Sequence, residues 1–156
     1  MLSCDLHVHT IFSRDGESTP LEIIRRAEAV GLDAIAITDH DTVEGAIAAL
    51  SIPTSLVIIP GIEISTRQGH LIALGVTEKI PAGLDVIETI HLAKERGAVL
   101  ILPHPYHVWR HGVGRKLRSA LYTVDAIEVF NSRYIVGSAN LKAARMARRI
   151  CKPCVG

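Results

Sequence analysis

Short apolar runs alternate along the chain with longer segments whose apolar residues recur every three or four positions. Ser3 to Val8, Asp33 to Thr38, Leu56 to Ile64, His70 to Val76, Ala98 to Leu102 and Asp125 to Phe130 read as strands. Several are continuously apolar, as strands covered on both faces must be. Helical patterns lie between them. Leu21, Ile24, Ala27 and Val30 keep a spacing of three behind Thr19-Pro20-Leu21-Glu22, and Gly31 supplies the stop. That tetrapeptide offers an N-cap, a proline at the first helical position and a capping-box glutamate. A second helix includes Val43 to Leu50, with Asp41 or Thr42 as its cap. A third runs from Leu84 to Arg96 and stops at Gly97, and a basic fourth covers Gly137 to Cys151, after which Cys154-Val155 reads as the opening of an unfinished strand. This alternation predicts an α/β protein with a mostly parallel sheet, in which ligands collect at the carboxyl ends of the strands.

Composition narrows the class. With 156 residues, 48% hydrophobic and 21% charged, the chain can bury the core of one domain and is not intrinsically disordered. Aromatic residues are only 4%, too few for a base-stacking nucleic-acid platform. No apolar stretch approaches the ~18 residues of a membrane span, and no basic, then apolar leader opens the chain. Three cysteines, Cys4, Cys151 and Cys154, are too few for a disulfide scaffold, so a cytoplasmic location is expected. Cys151-Lys-Pro-Cys154 falls at a helix-to-strand turn rather than at a helix N-terminus, and reads as structural. The net charge of +1 hides an asymmetry: residues 1–109 hold 7 Lys/Arg against 14 Asp/Glu, and residues 110–156 hold 10 against 2. The second segment favours anions.

Candidate chemistry sits mostly at strand ends. His7 and His9 form an H-x-H pair, and residues two apart on a strand share a face, so both imidazoles reach one ion. Asp15 lies in the loop after the first strand, His40 follows the second, Glu63 ends the third and His104 follows the fifth. His70 opens its strand instead of closing it, and so could face away from that rim. His91, His107 and His111 read as surface or satisfied core residues. Imidazole and carboxylate without thiolate suit zinc, manganese or iron. More than four ligands implies a cluster, with Glu63 bridging ions about 3.5–4 Å apart, the usual clamp for phosphoester hydrolysis.

Asp5-Leu-His-Val-His-Thr10, Thr38-Asp-His-Asp-Thr42, Pro60-Gly-Ile-Glu-Ile-Ser-Thr66, Gly69-His70, His104-Pro105 and Ile127-Glu-Val-Phe-Asn131 resemble, in order, the motifs of the PHP (polymerase and histidinol phosphatase) superfamily. The likeness covers nearly the whole chain and is nearest to the small stand-alone phosphoesterases. It implies a single PHP domain over residues 1–156, folded as a distorted (β/α)7 TIM-like barrel with mostly parallel strands and an incomplete C-terminal part. It also implies two or three divalent ions. His7, His9 and Glu63 would hold the first, Glu63, His70 and His104 the second, and Asp15 and His40 the third, with Asp39 and Asp41 orienting His40. His7, His9, His40, Glu63 and His104 would serve hydrolysis of a phosphate ester through a metal-bridging hydroxide. The implied substrate is a phosphorylated small molecule or short nucleic acid, and no membrane is involved. Asn131, Arg133 and Arg67 look like substrate-side residues; Arg14, Arg110, Arg115 and Arg118 are further phosphate-gripping candidates.

The superfamily's last motif brings an aspartate and a histidine from a Gly-Ser-Asp-Ala-His-like segment, and this sequence ends about where that motif should begin. Truncation before it is therefore expected, since such barrels ordinarily need about 200 residues or more. A non-catalytic, metal-binding or scaffolding module is the main alternative reading. An amidohydrolase-type enzyme is weaker, because Lys79, Lys94, Lys116, Lys142 and Lys152 fall in predicted loops or helices, not at the strand end where a metal-bridging lysine belongs.

Overall fold

The computed structural model describes residues 2–106, 122–132 and 138–156. Seven strands in sequence order form one nearly closed barrel with a single open seam between first and last. They are β1 (Cys4–Val8), β2 (Ala34–Ile37), β3 (Val57–Ser65), β4 (His70–Leu74), β5 (Val99–Leu102), β6 (Ala126–Glu128) and β7 (Cys154–Val155). The described helices are α1 (Pro20–Ala29), α2 (Glu44–Leu50), α3 (Val86–Glu95) and α4 (Ala139–Arg149). The pairs β1·β2, β2·β3, β5·β6 and β6·β7 are parallel, whereas β4 runs antiparallel to both β3 and β5.

Local chemistry sets the helix ends. Thr19 Oγ1 accepts from the Glu22 N–H while Glu22 Oε2 accepts from the Thr19 N–H at 2.7 Å, the reciprocal capping box. Asp85 caps α3 by accepting from the Ile87 N–H. Gly31 and Gly97 follow the first and third helices at φ +77° and +74°, a region that costs glycine nothing. The expected cap of α2 differs in detail: Val43 holds the N-cap position, and Thr42 Oγ1 accepts from the Glu44 N–H one residue early.

Strand alternation divides the apolar residues into an interior and two outer layers. Ala36, Ile72, Leu74, Ile101 and Ala126 fill the barrel interior together with Leu6, Ile59 and Val155. Ile35, Ile37 and Val8 turn outward with Ile24 and Ala27 of α1 and Ala46 and Ala49 of α2. Ile62, Ile64, Leu71, Leu100, Leu102 and Ile127 turn outward with Val86 and Ile90 of α3 and Ala147 of α4. The polar residues that alternate with these outward-facing positions, Glu63 with Ile62 and Glu128 with Ile127, therefore face inward.

In β1 the two periods collide: Leu6 packs inside and Val8 outside although they are two apart. The register between β1 and β2 slips between Asp5 and Val8, and this irregularity turns the strand over so that His7 and His9 face the interior. Among the described residues no helix is long and apolar enough to cross a membrane.

Candidate metal centre

The inward-facing polar residues meet at one rim of the barrel, with Glu63 at the centre. Its side chain is 1% exposed. Oε2 lies 2.9 Å from His9 Nε2, 3.1 Å from His7 Nε2 and 3.4 Å from His40 Nε2. Oε1 lies 3.0 Å from both His70 Nδ1 and His104 Nε2.

Backbone contacts explain how distant residues arrive together. Past β2, residues 39–41 continue alongside β3: the Glu63 N–H donates to the Asp39 carbonyl and the Asp41 N–H to the Glu63 carbonyl, which sets His40 beside Glu63. His70 joins because β4 is antiparallel. Its first residue pairs with Ser65, the last of β3, so the start of this one strand lies at the rim where the parallel strands end. Of the two orientations left open for His70, the structure thus shows the one that faces the rim. His104 follows β5 with φ +31°, a backbone held outside the common regions.

Asp39 and Asp41 do not orient His40 as expected. Asp39 Oδ1 accepts from the Thr10 N–H at 2.6 Å and Oδ2 from the Thr10 hydroxyl at 2.7 Å, fastening the residue after His9. Gly45 leaves room for this buried pair, since a Cβ there would collide with Asp39 Oδ2. Asp41 Oδ1 accepts from the Ser65 N–H at 2.7 Å. His40 instead has a buried Nδ1 without a hydrogen-bond partner among the described residues.

The arrangement fits a divalent cation. A carboxylate offers about four lone-pair sites, yet five imidazoles converge on this one. His7 Nε2 and His9 Nε2 face each other at 3.2 Å and complete a triangle with Glu63 Oε2. Ligand atoms around a tetrahedral zinc lie about 3.3 Å apart, close to all three sides. Among the described residues three ligand trios have compact geometry: His7, His9 and Glu63; His9, Asp15 and His40; and His40, Glu63 and His70.

Electrostatics follow from burial and partners. Burial opposes ionisation of Glu63, but hydrogen bonds to His104, His7, His70 and His9 hold its carboxyl well below the usual range. Burial also opposes protonation of His7, yet hydrogen bonds to Glu128 and Glu63 outweigh it and raise the imidazole to about 10. His40 goes the other way, to about 4, because burial dominates and the charges of His9 and His70 add to it. Asp15 is lowered despite burial, by hydrogen bonds from His9 at 2.9 Å and Ser13 at 3.0 Å.

Two cavities, about 380 and 370 Å³, border the cluster and share His7, Asn131 and Ser132. The first has an apolar floor of Leu6, Ile72, Ile101 and Val155 along the seam; the second is polar, with His9, Asp15, Glu17 and Ser18. Arg67 stands apart: it is exposed, and its Nε donates to the Gly83 carbonyl at 3.1 Å. Arg133, Arg110, Arg115, Arg118, Lys116, His107 and His111 lie outside the described residues. His91 is exposed, and Cys4, Cys151 and Cys154 are free and exposed.

A family model described as the PHP domain matches residues 5–102, well over half of the chain. This chain belongs to the PHP family. It is 32% identical to the uncharacterised protein MJ1587 of Methanocaldococcus jannaschii over 151 residues, covering 89% of this chain and 87% of that one. It is 32% identical, over 90% of its length, to the phosphoribosyl 1,2-cyclic phosphate 1,2-diphosphodiesterase of Eggerthella lenta, of which it covers 53%. Among solved structures, a two-domain protein of Bacteroides vulgatus, containing a predicted PHP-like metal-dependent phosphoesterase, superposes with a TM-score of 0.82 at 24% identity. That superposition covers 99% of this chain and 50% of the other. The chain thus spans about half of the diphosphodiesterase and half of the two-domain protein.

Within this PHP barrel, sequence reasoning overlooked Ser13 and Glu128. Ser13 Oγ accepts from the His40 N–H at 3.0 Å and donates to Asp15, joining two rim loops. Glu128 is 4% exposed and touches His7, His104 and Asn131. A signal for it was available: an acidic residue between Ile127 and Val129 in a strand this apolar must be buried, and buried carboxylates need partners.

Proposed function

We propose that this chain is a metal-dependent phosphoesterase acting on a nucleotide, an oligonucleotide or a small phosphomonoester. The observation that carries the reading is the convergence of five imidazoles on both oxygens of one buried carboxylate. The diphosphodiesterase name of the Eggerthella lenta relative supports the reaction class.

In this reading His7, His9 and Glu63 hold one divalent ion, Glu63, His70 and His104 a second, and Asp15 and His40 a third, with zinc, manganese or iron as the suited metals. Bound ions supply a water of lowered pKa and neutralise charge that builds on the phosphoryl oxygens. The chain's own groups do the rest. Glu63 spans both halves and sets their separation. Asp15 grips His9 Nδ1 from behind, which directs Nε2 inward. Asn131 borders both cavities and is assigned to the substrate side.

The test is release of phosphate from nucleoside monophosphates, or of p-nitrophenol from bis(p-nitrophenyl) phosphate, by chelator-stripped protein reloaded with Zn²⁺ or Mn²⁺. Turnover should need added metal and vanish in His9→Ala and Glu63→Ala. Undiminished turnover in either variant overturns the assignment; metal uptake without turnover favours the non-catalytic module.

A further inference from the structure

Glu128 is absent from the ligand set above, yet it is the buried carboxylate that joins the two sides of the cluster. One oxygen, Oε1, lies 2.9 Å from His7 Nδ1, on the imidazole edge opposite the nitrogen that faces Glu63. The other, Oε2, accepts the backbone N–H of His104 at 2.6 Å. Asn131 Nδ2 donates to both oxygens, at 3.2 and 3.3 Å, from the same loop end. Among the described residues the backbone N–H of His104 and the Asn131 amide donate to Glu128, and an ionised carboxylate, which only accepts, requires the same of His7 Nδ1.

From this geometry we infer that Glu128 is a positioning residue, which fixes His7 as an Nε2 ligand and holds His104 in its left-handed backbone conformation. The inference rests on the metal-site reading of the cluster. Two independent observations carry it. An imidazole that donates Nδ1–H to a carboxylate presents the Nε2 lone pair on its far side, and that side faces Glu63 and His9. Separately, His104 sits at φ +31°, where a non-glycine residue persists only when its surroundings hold it, and its N–H is tied to Glu128. Because β6 places Ala126 and Glu128 on the inner face, one side chain reaches His7 of β1 across the seam and His104 just past β5.

An amide cannot replace this carboxylate. A Gln oxygen directed at the His104 N–H leaves the NH₂ donating to His7 Nδ1, which forces the proton onto Nε2 and blocks ligation there. The flipped amide opposes one N–H with another in a buried site. Either way one anchor fails.

The test is Zn²⁺ titration of the chelator-stripped full chain, read as affinity and stoichiometry, with circular dichroism and Tm of the metal-free protein alongside. Glu128→Gln should weaken binding about 10- to 100-fold, the usual effect of removing a group that orients a ligand. In a His7→Ala background the same substitution should cause no further loss, because Gln then satisfies His104 without conflict. Binding unchanged by Glu128→Gln, or an equal loss in both backgrounds, overturns the assignment. Should Gln unfold the metal-free chain, Glu128→Asp takes its place under the same two criteria, since the shorter carboxylate keeps the charge but cannot span both partners. A wild-type chain that binds no zinc defeats this inference together with the phosphoesterase reading, whereas zinc binding indifferent to residue 128 defeats this inference alone.

Discussion

Strand β4 is hydrogen-bonded along both edges and buries Leu71 to Leu74, whereas β1 is paired with β2 along one edge and leaves Cys4 and Asp5 exposed beside the seam. Both strands deliver imidazoles to Glu63. On β4 the strand itself aims His70, through its register with Ser65. On β1, which is irregular between Asp5 and Val8, His7 and His9 are also gripped from behind by Glu128 and Asp15, each at 2.9 Å. The irregular strand thus has a carboxylate behind each of its two imidazoles.

Four measurements break or sharpen that contrast. The largest effect belongs to the residue shared by both strands: Glu63→Ala should remove bound metal from both sides and cut turnover by on the order of 10³-fold or more, read from metal content and phosphate release. Retention of one full equivalent would show that the β1 and β4 ligands do not depend on a common bridge. Next comes the scaffold. Ile72→Ala, at a fully buried position in β4, should cost about 2–5 kcal/mol in denaturant unfolding. Leu6→Ala, in half-buried β1, should cost about 1 kcal/mol. Equal costs would mean that the difference in burial between the strands carries no energetic weight.

The third concerns protons. His7, raised to about 10 by its hydrogen bonds to Glu128 and Glu63, carries a proton at neutral pH that ligation must displace. Metal affinity should therefore climb as pH rises toward that value, by about tenfold per pH unit for this one proton. Calorimetry in buffers of differing ionisation enthalpy checks it, and heats that do not depend on buffer contradict it. The smallest effect is expected at Arg67, whose Nε is held by Gly83 outside the cluster: Arg67→Ala should change KM less than about twofold, as surface substitutions usually do.

The sequence carried strand and helix order because the two periodicities are written residue by residue, and it carried His7, His9, His40, Glu63 and His104 because parallel strands end at one rim. Strand direction is not written that way. His70 looked misplaced until β4 proved antiparallel, a property of pairing that no single strand displays. The family resemblance assigned Asp39 and Asp41 to His40, yet their side chains reach Thr10 and Ser65, which are close only in the folded chain. Glu128 failed to stand out because its role depends on His7, 121 residues earlier. The α2 cap moved by one residue because the backbone N–H that needed a partner was that of Glu44, within reach of Thr42.

The reversal of β4 also divides the centre by the length of chain that each contact closes. Glu63 and His70 are 7 residues apart, joined by a tight hairpin whose closure costs little chain entropy. His7 and Glu128 meet only after 121 residues have been wound around the barrel. Closing the first loop costs far less chain entropy than closing the second, so the two halves of the centre rest on contacts of very different sequence separation.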